Sequence, residues 1–325
     1  MTSPPGTLGG ALAAGVVVLD GGLSTELEFR GHDVSSALWS ARLLRDDPRA
    51  IADVHAAFAA AGAQVATTAS YQASLPGFAA AGIGAVEAAA LIASSVHLAR
   101  DGLAAAGATG WVAGSVGPYG AFLADGSEYR GDYVATTSVA ALRAFHRPRL
   151  ELLAEAGADV LACETVPAAA EVEALLAEID RLGVPAWLSL TTVTGADGVP
   201  RTRQGEPLAG VVAMARDVPA VVAVGVNCSD PAGVVPAVRV AAVAGKPVVA
   251  SPNSGEVWDA GARRWTGSPG VGDVDGWLAA GARLVGGCCR VRPADVHAIA
   301  EAAVAAVTLR SAQRGGTARK CATPG

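Results

Sequence analysis

Short apolar segments rich in β-branched residues alternate along this chain with longer, alanine-rich segments of helical composition. Eight short segments are predicted strands, at residues 16–19, 64–67, 111–115, 159–162, 186–190, 221–226, 247–250 and 283–285. The clearest predicted helices are residues 48–61, 85–106, 134–156, 168–182 and 293–307. Near-continuous apolar strands that alternate with helices form a parallel sheet covered by those helices.

About eight strand–helix units close naturally into a single-domain α/β fold, the (β/α)8 TIM barrel, and 325 residues suit that domain. A doubly wound open sheet is the alternative. We predict that the barrel domain covers residues 1–309 and that residues 310–325, with Gly315, Gly316 and Pro324, form a flexible tail.

Polar residues follow each predicted strand, as a barrel with its functional groups at the C-terminal strand ends requires. These polar segments begin at Asp20, Thr67, Ser115, Glu164, Thr191, Asn227, Ser251 and Cys288. Cys228 follows the sixth strand and Cys288 the eighth. The barrel therefore predicts that these two cysteines are neighbours on one rim although 60 positions separate them.

Composition restricts the partners and the compartment. A chain that is 51% hydrophobic and 17% charged forms a large core, and a net charge of -6 argues against nucleic acid and anionic membranes. The uncharged stretches at 56–86 and 102–124 are interrupted by polar residues, glycines or proline, so no membrane span is expected. The apolar stretch 13–19 lacks a basic region before it and reads as the first strand. We therefore expect a cytoplasmic protein.

Cys228, Cys288 and Cys289 are the candidate metal ligands and catalytic residues. Thiolates suit Zn²⁺, and three protein ligands leave a fourth tetrahedral position for chemistry. Cys163 ends the fourth strand and is a possible substitute ligand, although inward packing is favoured, while Cys321 falls in the tail. No pair among the five histidines has a metal-binding spacing: His32, His55, His97, His146 and His297.

Three thiolates leave Zn²⁺ with a formal charge of about -1, which makes it a poor activator of water. Such an ion still holds another sulfur in a reactive state, so the ligand set favours alkyl transfer to a thiol over hydrolysis. Two alternatives stay open: the vicinal cysteines are buried small hydrophobes, or they form the redox pair of a non-catalytic sensor.

Asp20 and Glu164 are candidates for binding a substrate ammonium group, because each ends an apolar strand where an unpaired carboxylate is costly. Asp20 alternatively serves as a turn or capping residue before Gly21 and Gly22. Glu164 has no such capping explanation. The glycine-rich segment 114–120 lacks the lysine of a phosphate-binding loop.

Together these motifs resemble the zinc-dependent homocysteine S-methyltransferase family from about residue 17 to about residue 300. The resemblance rests on Asp20-Gly21-Gly22, Thr25-Glu26-Leu27, Ser70-Tyr71-Gln72-Ala73-Ser74, Ala113-Gly114-Ser115-Val116-Gly117-Pro118-Tyr119-Gly120, Tyr129-Arg130-Gly131-Asp132-Tyr133, Glu164-Thr165-Val166-Pro167, Asn227-Cys228, Pro252-Asn253-Ser254-Gly255-Glu256 and Gly286-Gly287-Cys288-Cys289-Arg290. The double-cysteine motif with the upstream Asn-Cys is the specific part.

The resemblance implies that zinc is held by the three candidate cysteines and that homocysteine sulfur takes the fourth position. It implies that the homocysteine amino group lies near Asp20 and Glu164, that Asn227 orients the Cys228 loop, and that Trp39 and Tyr71 line the pocket. One departure from the family is Thr68-Ala69-Ser70 before Tyr71, where relatives often carry asparagine.

Within the family, the compact chain and the 129–133 segment resemble the branch that uses S-methylmethionine or S-adenosylmethionine. The expected reaction is methyl transfer from this sulfonium donor to homocysteine, forming methionine in a monomer or homodimer. Alternatives are a selenocysteine-like acceptor, betaine as donor, or the non-catalytic thiol redox sensor.

Overall fold

A closed parallel barrel forms the body of this computed structural model, which describes residues 6–36, 38–259, 264–267 and 270–318. Its strands in chain order are β1 (Val17–Val18), β2 (Val65–Thr67), β3 (Trp111–Val116), β4 (Val160–Val166), β5 (Ala186–Leu190), β6 (Thr192–Thr194), β7 (Pro200–Thr202), β8 (Val221–Asn227), β9 (Val248–Ser251), β10 (Val257–Asp259), β11 (Arg264–Thr266) and β12 (Ala282–Val285). β6 pairs with β7 and β10 with β11 as antiparallel ribbons that the sequence did not predict.

The other eight strands form one sheet in the order β1-β12-β9-β8-β5-β4-β3-β2. A parallel bridge between Leu19 and Val65 joins its two edges, and Gln64 N donates to Val18 O at 2.8 Å beside the bridge. The sheet therefore closes into the predicted (β/α)8 barrel, and the open-sheet alternative is wrong.

Helices connect these strands and cover the barrel. In chain order they are α1 (Leu8–Ala14), α2 (Leu23–Phe29), α3 (Leu43–Asp46), α4 (Pro48–Ala60), α5 (Leu75–Ala80), α6 (Ala85–Ala105), α7 (Tyr119–Leu123), α8 (Val139–Glu155), α9 (Ala169–Leu182), α10 (Leu208–Ala213), α11 (Val234–Ala241), α12 (Val274–Ala280) and α13 (Pro293–Ala318). Among the described residues, no helix combines the length and apolar character needed to cross a membrane.

Two predicted boundaries differ from the observed ones. The helix expected from residue 134 begins at Val139, because Asp132–Ala135 form a 3-10 turn and the Ser138 hydroxyl caps the helix by accepting from Ala141 N. The stretch 13–19, expected as a strand, contributes only Val17–Val18, since α1 extends to Ala14.

The C-terminal boundary stays a prediction. α13 runs to Ala318, and residues 319–325, with Cys321, lie outside the described residues. The division into a barrel domain at 1–309 and a flexible tail at 310–325 is therefore not tested by the fold.

Side chains on the two faces of the strands form two core layers, as the alternation of a strand requires. One layer fills the barrel with buried residues such as Trp111, Trp187 and Leu284, and Leu8 and Leu12 of α1 pack against it. The second and larger layer lies between the strands and the covering helices. Because the interior is packed, a ligand has access only at the ends of the barrel.

Candidate active site

Three cysteines meet at the C-terminal end of the barrel, beyond β8 and β12. One ligand atom from each of Cys228, Cys288 and Cys289 lies within 4.8 Å of the other two. Cys228 and Cys288 are joined as a disulfide with a Cα–Cα separation of 5.5 Å, and Cys289 Sγ lies 3.9 Å from Cys228 Sγ. The predicted closeness of Cys228 to the vicinal pair is confirmed.

Backbone contacts fix both cysteine loops. Cys228 N donates to Ser251 O at 3.2 Å, and Cys288 N donates to Pro252 O at 2.7 Å, so both loops are tied to the end of β9. Cys289 N donates to Asn253 Oδ1 at 3.1 Å. Gly22 has to be glycine here, because a Cβ at that position would lie 2.6 Å from Cys288 O.

The donor set fits a zinc ion. Ligand bonds of about 2.3 Å in a tetrahedron separate sulfurs by roughly 3.8 Å, which the Cys228–Cys289 distance of 3.9 Å already matches. Binding requires thiolates, so the Cys228–Cys288 bond has to be reduced and its sulfurs have to separate. Burial raises the pKa of the Cys289 thiol, and a thiolate there therefore needs a compensating cation.

Cys163 lies apart from this group. Its side chain is fully buried in the layer between the strands and the helices, and the metal-capable cluster of the described residues does not include it. Cys163 is therefore buried, as expected, but it packs toward the covering helices and not into the barrel. Burial raises the pKa of its thiol to about 12, so it stays protonated at neutral pH.

Asp20 follows β1 and enters the same cavity, where it is 4% exposed. Its carboxylate accepts from Thr67 N at 2.6 Å and from Thr67 Oγ1 at 2.7 Å, which excludes the simple turn or capping role. Burial, assisted by the negative charge of Glu164, raises the pKa of Asp20 to about 7 against the opposing Thr67 hydrogen bonds.

Glu164 lies within β4, which continues to Val166 instead of ending at residue 162. The register shifts between Cys163 and Val166, and such bulges re-aim side chains beside functional sites. Glu164 accepts from Ser115 Oγ at 2.5 Å, and burial raises its pKa to about 7. With pKa values of about 7, both carboxyl groups are only partly ionised at neutral pH, and a cation bound beside them favours their carboxylate forms.

Asn227 connects the Glu164 bulge to the strand that carries Cys228. Its Oδ1 accepts from Thr165 N at 2.7 Å and from Ser189 Oγ at 2.9 Å. Its Nδ2 donates to Thr165 Oγ1 at 2.8 Å and to Glu164 Oε2 at 3.3 Å. The amide therefore fixes the orientation of Glu164 and the end of β8 together.

Aromatic side chains, among them Trp39, Tyr71 and Tyr129, line part of the cavity. The rings of Trp39 and Tyr71 stack with centroids 6.3 Å apart. The hydroxyl of Tyr129, in the 3-10 turn Ser127–Tyr129, lies 3.8 Å from Cys289 Sγ. Burial raises the pKa of Tyr71, so it is a neutral phenol at physiological pH. The empty space of the cavity, including open solvent at its mouth, is about 900 Å³.

Backbone strain concentrates at this end of the barrel. Five non-glycine residues of the described chain have positive φ, and four belong to or adjoin the cavity: Trp39, Thr165, Cys228 and Arg290. Cys228, at φ 46°, is held by its hydrogen bond to Ser251 O and by Thr191 Oγ1, which donates to Cys228 O at 3.0 Å. Strained conformations persist where surrounding contacts over-determine them, which is typical of functional sites.

The structure brings together every site residue predicted from the sequence, and it adds residues that the sequence did not single out. Thr67 and Ser115 were recognised only as polar residues at strand ends, whereas Tyr129 has no strand-end signal and lies on a long loop. A network of buried polar side chains lies behind Tyr71. In it, His146 Nε2 lies 2.9 Å from Glu171, and Arg149 donates to Tyr71 O at 2.8 Å.

Comparison with known proteins identifies close relatives over most of the chain. The family model described as Homocysteine S-methyltransferase matches residues 17–303. The homocysteine S-methyltransferase of Escherichia coli (strain K12) is 46% identical over 297 residues, covering 87% of this chain and 94% of the relative. The selenocysteine Se-methyltransferase of Brassica oleracea var. italica is 37% identical over 308 residues, covering 88% of each chain. The crystal structure of the E. coli homocysteine methyltransferase MmuM in its metallated form is 45% identical with a TM-score of 0.77, covering 88% of this chain and 96% of that one.

Proposed function

Because the chain belongs to the homocysteine S-methyltransferase family, we propose that it transfers a methyl group from a sulfonium donor to homocysteine held at a zinc site. The ligands in this proposal are Cys228, Cys288 and Cys289. One observation carries it: three cysteine sulfurs converge in a cavity that also contains two buried carboxyl groups. The acceptor has a thiol and an ammonium group, which are the two groups that this arrangement complements.

Zinc supplies one function when bound, which is to lower the pKa of the homocysteine thiol so that its sulfur is a thiolate at neutral pH. The protein does the rest. Asp20 and Glu164 accept hydrogen bonds from the homocysteine ammonium group, and the incoming positive charge ionises both. Asn227 keeps Glu164 in position through its hydrogen bonds to the β4 bulge.

The methyl group moves in one displacement. The homocysteine sulfur attacks the methyl carbon in line, and the donor C–S bond breaks with its electron pair remaining on the donor sulfur. The products are methionine and a neutral thioether. The thiolate and the sulfonium charge are both neutralised in the transition state, so a site that excludes water favours the step. Trp39 and Tyr71 supply an apolar wall for this, and aromatic faces attract cations.

We propose S-methylmethionine or S-adenosylmethionine as the donor. Support comes from the negative character of the cavity, which holds two carboxyl groups and three potential thiolates and therefore favours a cationic partner. Betaine is also cationic at its methylated nitrogen, so charge alone does not separate the donors. Measuring methionine formation from homocysteine with each of the three donors in parallel identifies the preferred one.

The variant Cys289→Ala tests the metal assignment. We expect it to lose bound zinc, measured by elemental analysis of the purified protein, and to form no methionine. Cys163→Ala is the matched control, because this buried cysteine lies outside the cluster and should leave both zinc content and turnover near the wild-type level. Full zinc content and full activity in Cys289→Ala would refute the ligand set.

Two observations favour further candidates. The Cys228–Cys288 disulfide fits a thiol redox sensor, although the sequence had suggested the vicinal pair. Thiol titration with and without a chelator separates the two functions, because a sensor has free, oxidisable thiols in both cases whereas a zinc enzyme exposes its thiols only after chelation. The Brassica relative named as a selenocysteine Se-methyltransferase makes a selenol the second acceptor to assay.

A further inference from the structure

Arg203 occupies a distinctive position beside the cavity, directly after β7. Its Nε donates to Thr191 Oγ1 at 3.1 Å, and the same hydroxyl donates to Cys228 O. Its guanidinium carbon lies 5.6 Å from the centroid of the Tyr129 ring, and the hydroxyl of that ring lies 3.8 Å from Cys289 Sγ. Arg203 is therefore one side chain away from each of the two cysteine loops.

Among the described residues, no acidic side chain lies within 4 Å of the guanidinium. Its two terminal nitrogens donate no hydrogen bond to any of these residues either. Arg201, two positions earlier on the same antiparallel ribbon, is paired with Asp197 at 2.8 Å. Arg203 is half-buried, and desolvation lowers its pKa. A partly desolvated guanidinium with free donors is a site for a planar anion, which it binds through two parallel hydrogen bonds.

The charge distribution of the cavity indicates which anion. Asp20 and Glu164 lie on β1 and β4 and repel a carboxylate, whereas the β6–β7 ribbon extends from β5, which neighbours β4, and carries Arg203 behind the Tyr129 ring. An amino-acid substrate presents one ammonium and one carboxylate group. In the proposed reaction the acidic pair binds the ammonium group of homocysteine, and Arg203 offers the complementary charge for a carboxylate.

We propose that Arg203 binds the α-carboxylate of an amino-acid substrate at the mouth of the cavity, an inference that rests on the proposed methyl transfer. The favoured source is an amino-acid sulfonium donor such as S-methylmethionine. Its sulfonium group lies toward the aromatic wall and the cysteines, and its carboxylate extends toward Tyr129 and the guanidinium. The carboxylate of homocysteine is the second source of the same chemistry, and the experiment separates the two.

The test uses Arg203→Gln in the zinc-loaded enzyme, with kcat and KM measured separately for S-methylmethionine and for homocysteine. We expect the KM of S-methylmethionine to rise about 10- to 100-fold while kcat changes less than about twofold. Arg203→Lys should recover part of the affinity, because it restores the charge without the planar fork. Arg201→Gln is the control on the same ribbon, and its KM values should match the wild type.

A donor without a carboxylate separates binding from structural damage. With trimethylsulfonium as donor, Arg203→Gln should transfer methyl groups at the wild-type rate. A rise in the KM of homocysteine alone would assign the subsite to the acceptor. Unchanged KM values for both amino acids, or an equal loss with trimethylsulfonium, would refute the subsite. Calorimetric titration of S-methylmethionine into both proteins reads binding without turnover, so failure of the subsite is distinguishable from failure of the proposed reaction.

Discussion

Replacing Asp20 by Asn should stabilise the substrate-free protein at alkaline pH while weakening acceptor binding. Burial raises the pKa of Asp20 in the folded state to about 7 from its ordinary value of 3.8. A group whose pKa is raised by folding contributes its stability at low pH and loses it as the pH rises through the folded pKa. Each pH unit across that window is worth about 1.4 kcal/mol, so between pH 5 and pH 8.5 the wild type should lose about 3 kcal/mol more than the variant.

The substitution itself is conservative. An Asn Oδ1 accepts from Thr67 N, and an Asn Nδ2 donates to Thr67 Oγ1, so both of the hydrogen bonds that Asp20 makes are retained. Glu164 is present in both proteins, so the difference between them reports the titration of Asp20 together with its electrostatic coupling to Glu164. Losing the carboxylate should nevertheless lower homocysteine affinity about 10- to 100-fold.

Urea unfolding of both proteins at pH 5 and pH 8.5, without substrate and at equal metal content, measures the difference in the free energy of unfolding. Calorimetric titration of homocysteine at pH 8.5 measures the affinity. If the two proteins lose the same free energy of unfolding between these pH values, folding does not raise the pKa of Asp20. An unchanged affinity would remove Asp20 from the ammonium site.

Three further changes follow from the geometry. His55 is buried without hydrogen-bond partners among the described residues, and desolvation lowers its pKa to about 4. As the pH falls from about 6.5 to 4, the wild type should therefore lose about 3 kcal/mol that His55→Leu does not lose in urea titrations. Gly22→Ala places a Cβ against Cys288 O, so it should lower the free energy of unfolding by about 1–3 kcal/mol and reduce the zinc content. The control is Gly210→Ala, which has open space around it and should match or exceed wild-type thermal stability. Asn227→Leu removes the amide oxygen that accepts from Thr165 N–H and Ser189 O–H. It should lower the free energy of unfolding by about 2–5 kcal/mol. An unchanged urea midpoint would contradict this.

The sequence predicts the barrel and most of the rim, because strand periodicity and polar strand ends are local signals. Cys228 and Cys289 are 61 positions apart, but the count of eight strands predicts a closed barrel. In a closed barrel the C-terminal ends of all strands lie on one rim, so the sequence predicts that the two cysteines are close. Glu164 was identified, but the bulge that directs it was not, because the shift of register accompanies a contact between Thr165 N and Asn227 Oδ1 on β8, two strands away. Tyr129 and Arg203 were missed as site residues for the same reason. Their loops carry no periodic pattern, and only tertiary contacts determine where they lie.

The electrostatics of the cavity link the metal, the acceptor and the donor. Without bound cations, burial disfavours the charged forms of the acidic groups in the cavity. It raises the pKa of Asp20 and Glu164 to about 7 and also raises the pKa of Cys289. In the proposed function, a zinc ion with three thiolates carries about -1, and homocysteine bound as its thiolate adds a net charge of about -1, because its own ammonium and carboxylate charges cancel. Acceptor binding therefore makes the cavity more negative, and a cationic donor should bind more tightly after homocysteine than before it. Calorimetric titration of S-methylmethionine with homocysteine absent and present measures this coupling, and equal affinities would show that charge does not order the two substrates.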